Sequence, residues 1–320
     1  MNNIYKLIYN EIKKYKKIYI ARHIGPDPDA FGSQMALKKS ILLSFNNKEV
    51  FAVGTTVSRF KYFGKVDKVN EYDYETGLLI VVDTPNKARV DIENLDKFKN
   101  IIKIDHHPQV EVFGPVEYVV EDASSASELV YDVIENTKLK MNTEIAENIF
   151  AGIASDTNRF LFNVNYNIFN KISLLIKKYK VDTEKVYKDI YSKPLSETRL
   201  MGYIASTLKV DKYGFAYIEL ENDIINSLKA DSSAASNMIN DFNNIEEVTV
   251  WTFVSKDDKT GQYRVNIRSR GPIVNEIAAK HGGGGHKYAS GVRTFERETV
   301  DSLLQELSLA CKKYKEETKE

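Results

Sequence analysis

The sequence predicts a two-part α/β protein: an N-terminal, doubly wound and mainly parallel sheet, then a smaller α/β domain whose sheet is mixed or antiparallel. Three observations support this. Short, apolar, β-branched runs ("IYIA" at 18–21, "LLIVV" at 78–82, "IIKI" at 101–104) alternate with stretches of helical periodicity, the pattern of a parallel sheet covered on both faces. Pro194, in "YSKPLSETRL", interrupts the alternation. Beyond it strands come in adjacent pairs, as in an antiparallel sheet.

Ile4, Leu7, Ile8, Ile12 and Tyr15 recur at helical spacing ahead of the first strand. Helices are expected over about 32–45, 125–136, 143–154, 167–179 and 184–191, with a further strand at 49–53. The second part reads as a strand (214–219), two short helices (222–241), paired strands (246–254 and 262–269), a helix (272–281), a glycine run, a strand (290–295) and a terminal helix. The expected domains are 1–182 and 206–320, joined by a helical linker at 183–205, with the active site in the cleft between them.

Composition narrows the function. The chain has 320 residues, 42% of them hydrophobic, and Lys+Arg and Asp+Glu are both 45. A neutral molecule has no global charge to gather long duplex nucleic acid, so any anion site must be local. One cysteine, Cys311, excludes an internal disulfide. No apolar run approaches the roughly 20 residues that span a bilayer, and the Lys-interrupted N-terminus lacks the apolar core of a signal peptide. A cytoplasmic protein is expected, with no membrane partner.

In open α/β sheets ligands bind beyond the carboxyl ends of the strands. There stand His23, Asp27 and Asp29 after the first strand, Asp83 after "LLIVV", and Asp105, His106 and His107 after "IIKI". Asp156 follows the helix 143–154. Taken singly these have ordinary explanations: Asp27-Pro28 is a common turn, Asp83 before Thr84-Pro85 can end a strand, and Asp156 can cap a helix. Their recurrence at successive strand ends is what points to a metal centre. His23, Asp27, Asp29, Asp83, His106 and Asp156 form the imidazole and carboxylate set that suits Mn²⁺ or a related divalent ion. Six ligands exceed what one open catalytic metal uses, whereas two metals sharing a carboxylate would employ all six and hold a bridging hydroxide against phosphorus.

"HIGPDPDAFGS", "VVDTP", "IDHHP" and "ASDT", in this order, resemble the four motifs of the DHH phosphoesterase superfamily, and "NIRSRGPIVNEIAAKHGGGGHKYASG" resembles its DHH-associated domain. "FAVGT" and "RFLF" extend the likeness through nearly the whole chain. The resemblance implies that His23, Asp27 and Asp83 bind one metal and Asp29, Asp83, His106 and Asp156 the other, with Asp83 as the bridge. His107 would face the substrate phosphate, and Asp105 would orient the histidine pair. Asn158 stands where the resemblance implies glycine.

In the second domain Arg264, Arg268, Arg270, Lys280, Lys287 and Arg293 face a single acid, Glu276, within the same stretch. Glycines 282–285 precede His286. A glycine run alone is usually a loose helix end; beside "RSR" and His286 it reads as a phosphate cradle formed by Arg268, Arg270, Gly283, Gly284, Gly285 and His286. The expected reaction is Mn²⁺-dependent hydrolysis of very short single-stranded RNA to 5′-mononucleotides and of pAp to AMP. Hydrolysis of cyclic di-AMP or of pApA is the alternative, and a non-catalytic nucleotide sensor or a pyrophosphatase are the competing readings. A homodimer is among the assemblies this reading admits.

Overall fold

The computed structural model describes residues 2–231, 234–257 and 260–318. They form two units, Met1–Ser192 and Lys193–Glu320. No helix among the described residues is long and apolar enough to cross a membrane.

The first unit runs α1 (Asn2–Lys14), β1 (Lys17–Ala21), α2 (Pro28–Ser44), β2 (Glu49–Ala52), β3 (Leu78–Val82), β4 (Asn100–Asp105), β5 (Val116–Val119), α3 (Ala126–Glu135), α4 (Thr143–Asp156), α5 (Tyr166–Tyr179) and α6 (Thr183–Tyr191). Its five strands lie in the order β2-β1-β3-β4-β5, and every neighbouring pair is parallel. β3 is buried along its whole length, which explains why it reads as an unbroken apolar run. β5 is absent from the sequence-based expectation. Its four residues, "VEYV", are mostly half-buried at the sheet edge and include a charge, so they carry no such signature.

Topology locates the site. The chain passes from β1 to β2 on one side and returns with β3 on the other side of β1. That reversal opens a crevice at the carboxyl ends of β1 and β3.

Two glycines bring α2 against α4. A Cβ on Gly32 would stand 2.6 Å from the Asn148 carbonyl oxygen, and one on Gly152 would stand 2.0 Å from Ser127 Oγ and 2.8 Å from Asp29 Oδ1. No side chain fits there, so the sequence "AGIASD" must keep its glycine for the helices to close on Asp29.

The stretch 183–205, expected as a linker, is divided between the units. Val186 and Ile190 of α6 are buried in the core of the first. Leu200 and Ile204, on α7 (Leu195–Thr207), are buried in the second. Each helix has an apolar stripe with a core to enter, and only the turn around Pro194 separates them.

The second unit continues with β6 (Lys209–Val210), β7 (Phe215–Leu220), α8 (Asn222–Ser227), α9 (Ala234–Met238), β8 (Val250–Lys256), β9 (Tyr263–Ser269), α10 (Asn275–Lys280), β10 (Gly284–His286), β11 (Ala289–Thr294) and α11 (Arg297–Glu317). Its sheet, β10-β11-β9-β8-β7-β6, is mixed: β7 and β8 are parallel and the other pairs antiparallel. Trp251 and Phe253 of β8 enter one core with α7 and α9, while Val250 and Val254 enter another with α10 and α11. The alternation of side chains along one strand thus builds two cores.

Gly152→Ala is expected to destabilise the first unit by about 1–3 kcal/mol, the usual cost of overpacking. Differential scanning calorimetry should show a lower unfolding temperature for that unit; an unchanged value would mean that α2 and α4 separate freely.

Candidate metal centre

His23 follows β1 and Asp83 follows β3, one on each side of the crevice. The His23 ring lies with Nδ1 3.1 Å from the Ile24 carbonyl oxygen. Its Nε2 is 3.4 Å from Asp83 Oδ2 and 3.7 Å from Asp27 Oδ2. Asp27 also caps α2: its Oδ1 accepts from the Asp29 and Ala30 amides at 3.0 Å each. The cap thus uses Oδ1 and leaves Oδ2 facing His23.

Asp83 is the centre of the arrangement. It is buried, and its backbone has φ +51°, a left-handed conformation that a non-glycine residue keeps only where its surroundings hold it. Its amide donates to the Ile104 carbonyl at 3.0 Å, tying the turn to β4. Its Oδ1 accepts no hydrogen bond and lies 3.4 Å from His106 Nε2. His106 places Nδ1 3.4 Å from the Ala123 carbonyl oxygen and Nε2 3.5 Å from Asp156 Oδ2. In both histidines the backbone takes Nδ1 and leaves Nε2 facing carboxylates, as in imidazoles that ligate metals.

Asp29 is held by α3. Its Oδ2 accepts from the Ala126 amide at 2.7 Å and its Oδ1 from the Ser127 amide at 2.9 Å, so the positive end of that helix faces a buried carboxylate. Asp156 is the last residue of α4. The chain beyond it turns left-handed for three residues, Asn158, Arg159 and Phe160, with φ of +46°, +65° and +65°. Asparagine tolerates this region better than most side chains, which accounts for Asn158 where the sequence pattern implies glycine.

The donor atoms fall into three overlapping groups: His23, Asp27 and Asp83; Asp83, His106 and His107; and Asp29, His106 and Asp156, with the atoms of each within 4.8 Å of one another. All six residues expected as ligands are thus brought together. Asp105 contacts both histidines of the pair. Its Oδ1 accepts the Nδ1 proton of His107 at 2.8 Å and the amides of His106 and His107 at 2.9 and 3.3 Å.

The charges of the cluster act on one another. Burial, then the charge of Asp83, pushes Asp29 up to about 7; burial and Asp29 push Asp156 well above the carboxylate range. Asp83 moves the other way: burial opposes its ionisation, but the His106 and His23 imidazoles beside it hold it well below the usual range. Burial disfavours the charged imidazoles, yet Asp27 and Asp83 push His23 up to about 10, and Asp83 and Asp156 push His106 up to about 11. The orphaned Asp83 oxygen, the inward Nε2 atoms and the crowded carboxylates fit a divalent ion.

In the second unit the structure separates the expected cradle into parts. Arg268 is on β9, where its Nε donates to Asn240 Oδ1 at 2.8 Å and its Nη1 to the Ile267 carbonyl at 2.9 Å. Arg270 donates to the Ile245 and Val248 carbonyls, which gives it a role in holding that loop. A Cβ on Gly283 would stand 2.2 Å from the Gly291 carbonyl oxygen, and one on Gly285 would stand 2.5 Å from that of Ala289; Gly284 meets nothing. Two of these glycines are therefore needed by the β10–β11 pairing itself. Arg268 pairs with Ala289, which pairs with His286. The three share one face of the sheet, with arginine and histidine about 10 Å apart across a small residue.

Sequence reasoning missed Lys103, Ser127 and the Ala123 carbonyl. Lys103 left a signal, a lysine inside the strand motif "IIKI"; a carbonyl leaves none.

Comparison with known proteins agrees with this geometry. Residues 17–153 match the DHH family, N-terminal domain, and residues 212–313 match the DHHA1 domain. The probable bifunctional oligoribonuclease and PAP phosphatase NrnA of Streptococcus mutans is 36% identical over 95% of this chain and 97% of its own length. The bifunctional oligoribonuclease and PAP phosphatase NrnA of Bacillus subtilis is 33% identical over 95% and 97%. An exopolyphosphatase-related protein from Bacteroides fragilis superposes with a TM-score of 0.86 at 26% identity, covering 100% of this chain and 98% of its own. With both domain types in order and near full-length likeness to these relatives, the chain belongs to the DHH family of metal-dependent phosphoesterases.

Proposed function

We propose that this chain hydrolyses very short oligoribonucleotides to 5′-mononucleotides and pAp to AMP, with two divalent ions, Mn²⁺ in the first instance. The observation that carries the reading is the buried Asp83 carboxylate between His23 and His106, with one oxygen lacking a hydrogen bond. The names of the NrnA relatives support the substrate class.

His23, Asp27 and Asp83 would hold one ion, and Asp29, Asp83, His106 and Asp156 the other. When bound, such ions withdraw charge from a phosphoryl group and make water a better nucleophile at neutral pH. The remaining work falls to the protein. The α3 amides fix Asp29, and the Ile24 and Ala123 carbonyls fix the two imidazoles. Asp105 accepts from His107 Nδ1 and fixes that ring, so that His107 Nε2 would face the leaving oxygen of the substrate. In the second unit Arg268, Gly284 and His286 bind a phosphate already on the substrate; Arg270 and Gly283 and Gly285 shape the strands that carry them. A non-catalytic sensor would not need all six donors, and all six are present and clustered. Rates on pAp, pApA and cyclic di-AMP, measured side by side, rank the substrates, and pAp is expected to exceed cyclic di-AMP.

Asp83→Asn should fold, lose metal uptake and lose nearly all hydrolysis, because an amide supplies one neutral oxygen where a shared carboxylate supplied two. Adding Mn²⁺ to the chelator-treated parent should raise its unfolding temperature, by about 2.7 kcal/mol of stabilisation at a hundredfold excess over Kd. The same addition should leave Asp83→Asn unmoved; equal shifts in both would remove Asp83 from the metal centre.

RNA hydrolysis should fall steeply with length, since a chain with formal net charge +0 has little long-range pull on a polyanion. A labelled ladder from dinucleotide to about 20 nucleotides, spanning the range over which added phosphates would strengthen binding to a basic protein, tests this; a flat profile contradicts it.

His286→Ala should retain metal and slow pAp turnover by about tenfold or more, as lost binding contacts misplace the phosphate. Bis-p-nitrophenyl phosphate, which carries no second phosphate, should be affected far less. Equal losses on both esters would place His286 at the reacting centre.

A further inference from the structure

Among the described residues of the first unit two cations, Arg22 and Lys103, are fully buried. Arg22 directs its terminal nitrogens away from the acid cluster: Nη1 donates to Asp91 Oδ2 at 2.8 Å and Nη2 to the Thr55 carbonyl at 2.6 Å. Lys103 is different. It lies on β4 between the core residues Ile102 and Ile104, and its Nζ donates to the Pro85 carbonyl at 3.1 Å. The same Nζ is 3.4 Å from Asp105 Oδ2 and 4.6 Å from the Phe113 ring centre. An ammonium in a dry interior costs free energy that an isoleucine would not, so fold stability alone does not explain it.

We propose that Lys103 is a positioning residue that acts on His107 through Asp105 and steadies the Asp83 turn through Pro85. The oxygens of Asp105 divide the work: Oδ1 accepts the His107 ring proton and two amides, while Oδ2 accepts no hydrogen bond and faces the ammonium. Asp105 is fully buried, so without Lys103 its charge loses its nearest cation and its Oδ2 loses the contact that helps set the carboxyl plane. The Pro85 bond acts two residues from Asp83, whose left-handed backbone needs support from outside the turn. One side chain therefore joins the two strand-end turns that carry the motifs "VVDTP" and "IDHHP". The catalytic consequence rests on the reading of His107 as the residue facing the substrate; the link between Lys103 and the His107 ring does not.

The test uses ¹⁵N-histidine-labelled protein loaded with Mg²⁺, whose five histidines are few enough to assign. In the parent, the His107 Nδ1 proton should be shifted downfield and slow to exchange. Lys103→Met, which keeps the chain length and removes the charge, should abolish that signature. It should also lower kcat on pAp by about tenfold with KM nearly unchanged, the mark of an interaction that matters chiefly in the transition state. Metal content should stay the same. In an Asp105→Asn background Lys103→Met should cost almost nothing further, since residues acting through one contact are not additive. An unchanged His107 spectrum, or full additivity in the double variant, would overturn the proposal. Should Lys103→Met fail to fold, the ¹⁵Nζ signal of Lys103 decides instead: it should move in Asp105→Asn, and an unmoved signal refutes the coupling. Full activity of His107→Ala would reject the functional reading of that histidine, while the Lys103→Met spectrum would still decide the positioning role.

Discussion

The structure depends on holding several carboxylates in one buried place. Asp29 and Asp83 are nearly inaccessible to solvent, and Asp156 shares His106 with both. Burying like charges together is unfavourable unless positive charge lies among them. The imidazoles of His23 and His106 and the amides at the start of α3 lie among these acids. Asp27 and Asp29 are each fixed by backbone amides, contacts that a bound cation would leave in place.

The fold supplies this arrangement from distant stretches of chain. Sheet order puts β1 and β3 side by side at the point where the winding reverses, so residues sixty apart become neighbours across a crevice. Gly32 and Gly152 let α2 and α4 approach until Asp29 meets Ser127. Glu128 of α3 accepts from the Ser124 amide at 2.7 Å and pairs with Lys171 of α5, also at 2.7 Å. That pairing anchors the loop whose Ala123 carbonyl aligns His106. Packing and hydrogen bonds from outside the acid cluster thus restrict the side chains of Asp29 and His106, a condition for a preorganised site.

How much of this the sequence revealed depends on how local the cause was. The buried strands β1, β3 and β4 were legible because burial on both faces leaves an uninterrupted apolar run, and the acids and histidines follow directly where those runs end. β5 was not legible, since a half-buried edge strand of four residues looks like a loop. The break at Pro194 was legible, but α6 and α7 are both amphipathic, and nothing local says which core each will join. The glycine run was read for its chemistry, whereas Gly283 and Gly285 are demanded first by backbone contacts with β11. The assignment of Arg270 changed for a related reason: its guanidinium is met by carbonyls that the linear sequence does not place beside it. Lys103 was visible as an oddity within a strand, but its partners, Pro85 and Asp105, appear only once β3 and β4 are paired.

The central claim is that Asp83 is shared by two ions. Anomalous diffraction at the manganese edge from Mn²⁺-loaded crystals tests it most directly. The account predicts two peaks flanking the Asp83 carboxylate, one on the His23 side and one on the His106 side. A single peak, or peaks remote from Asp83, would contradict it.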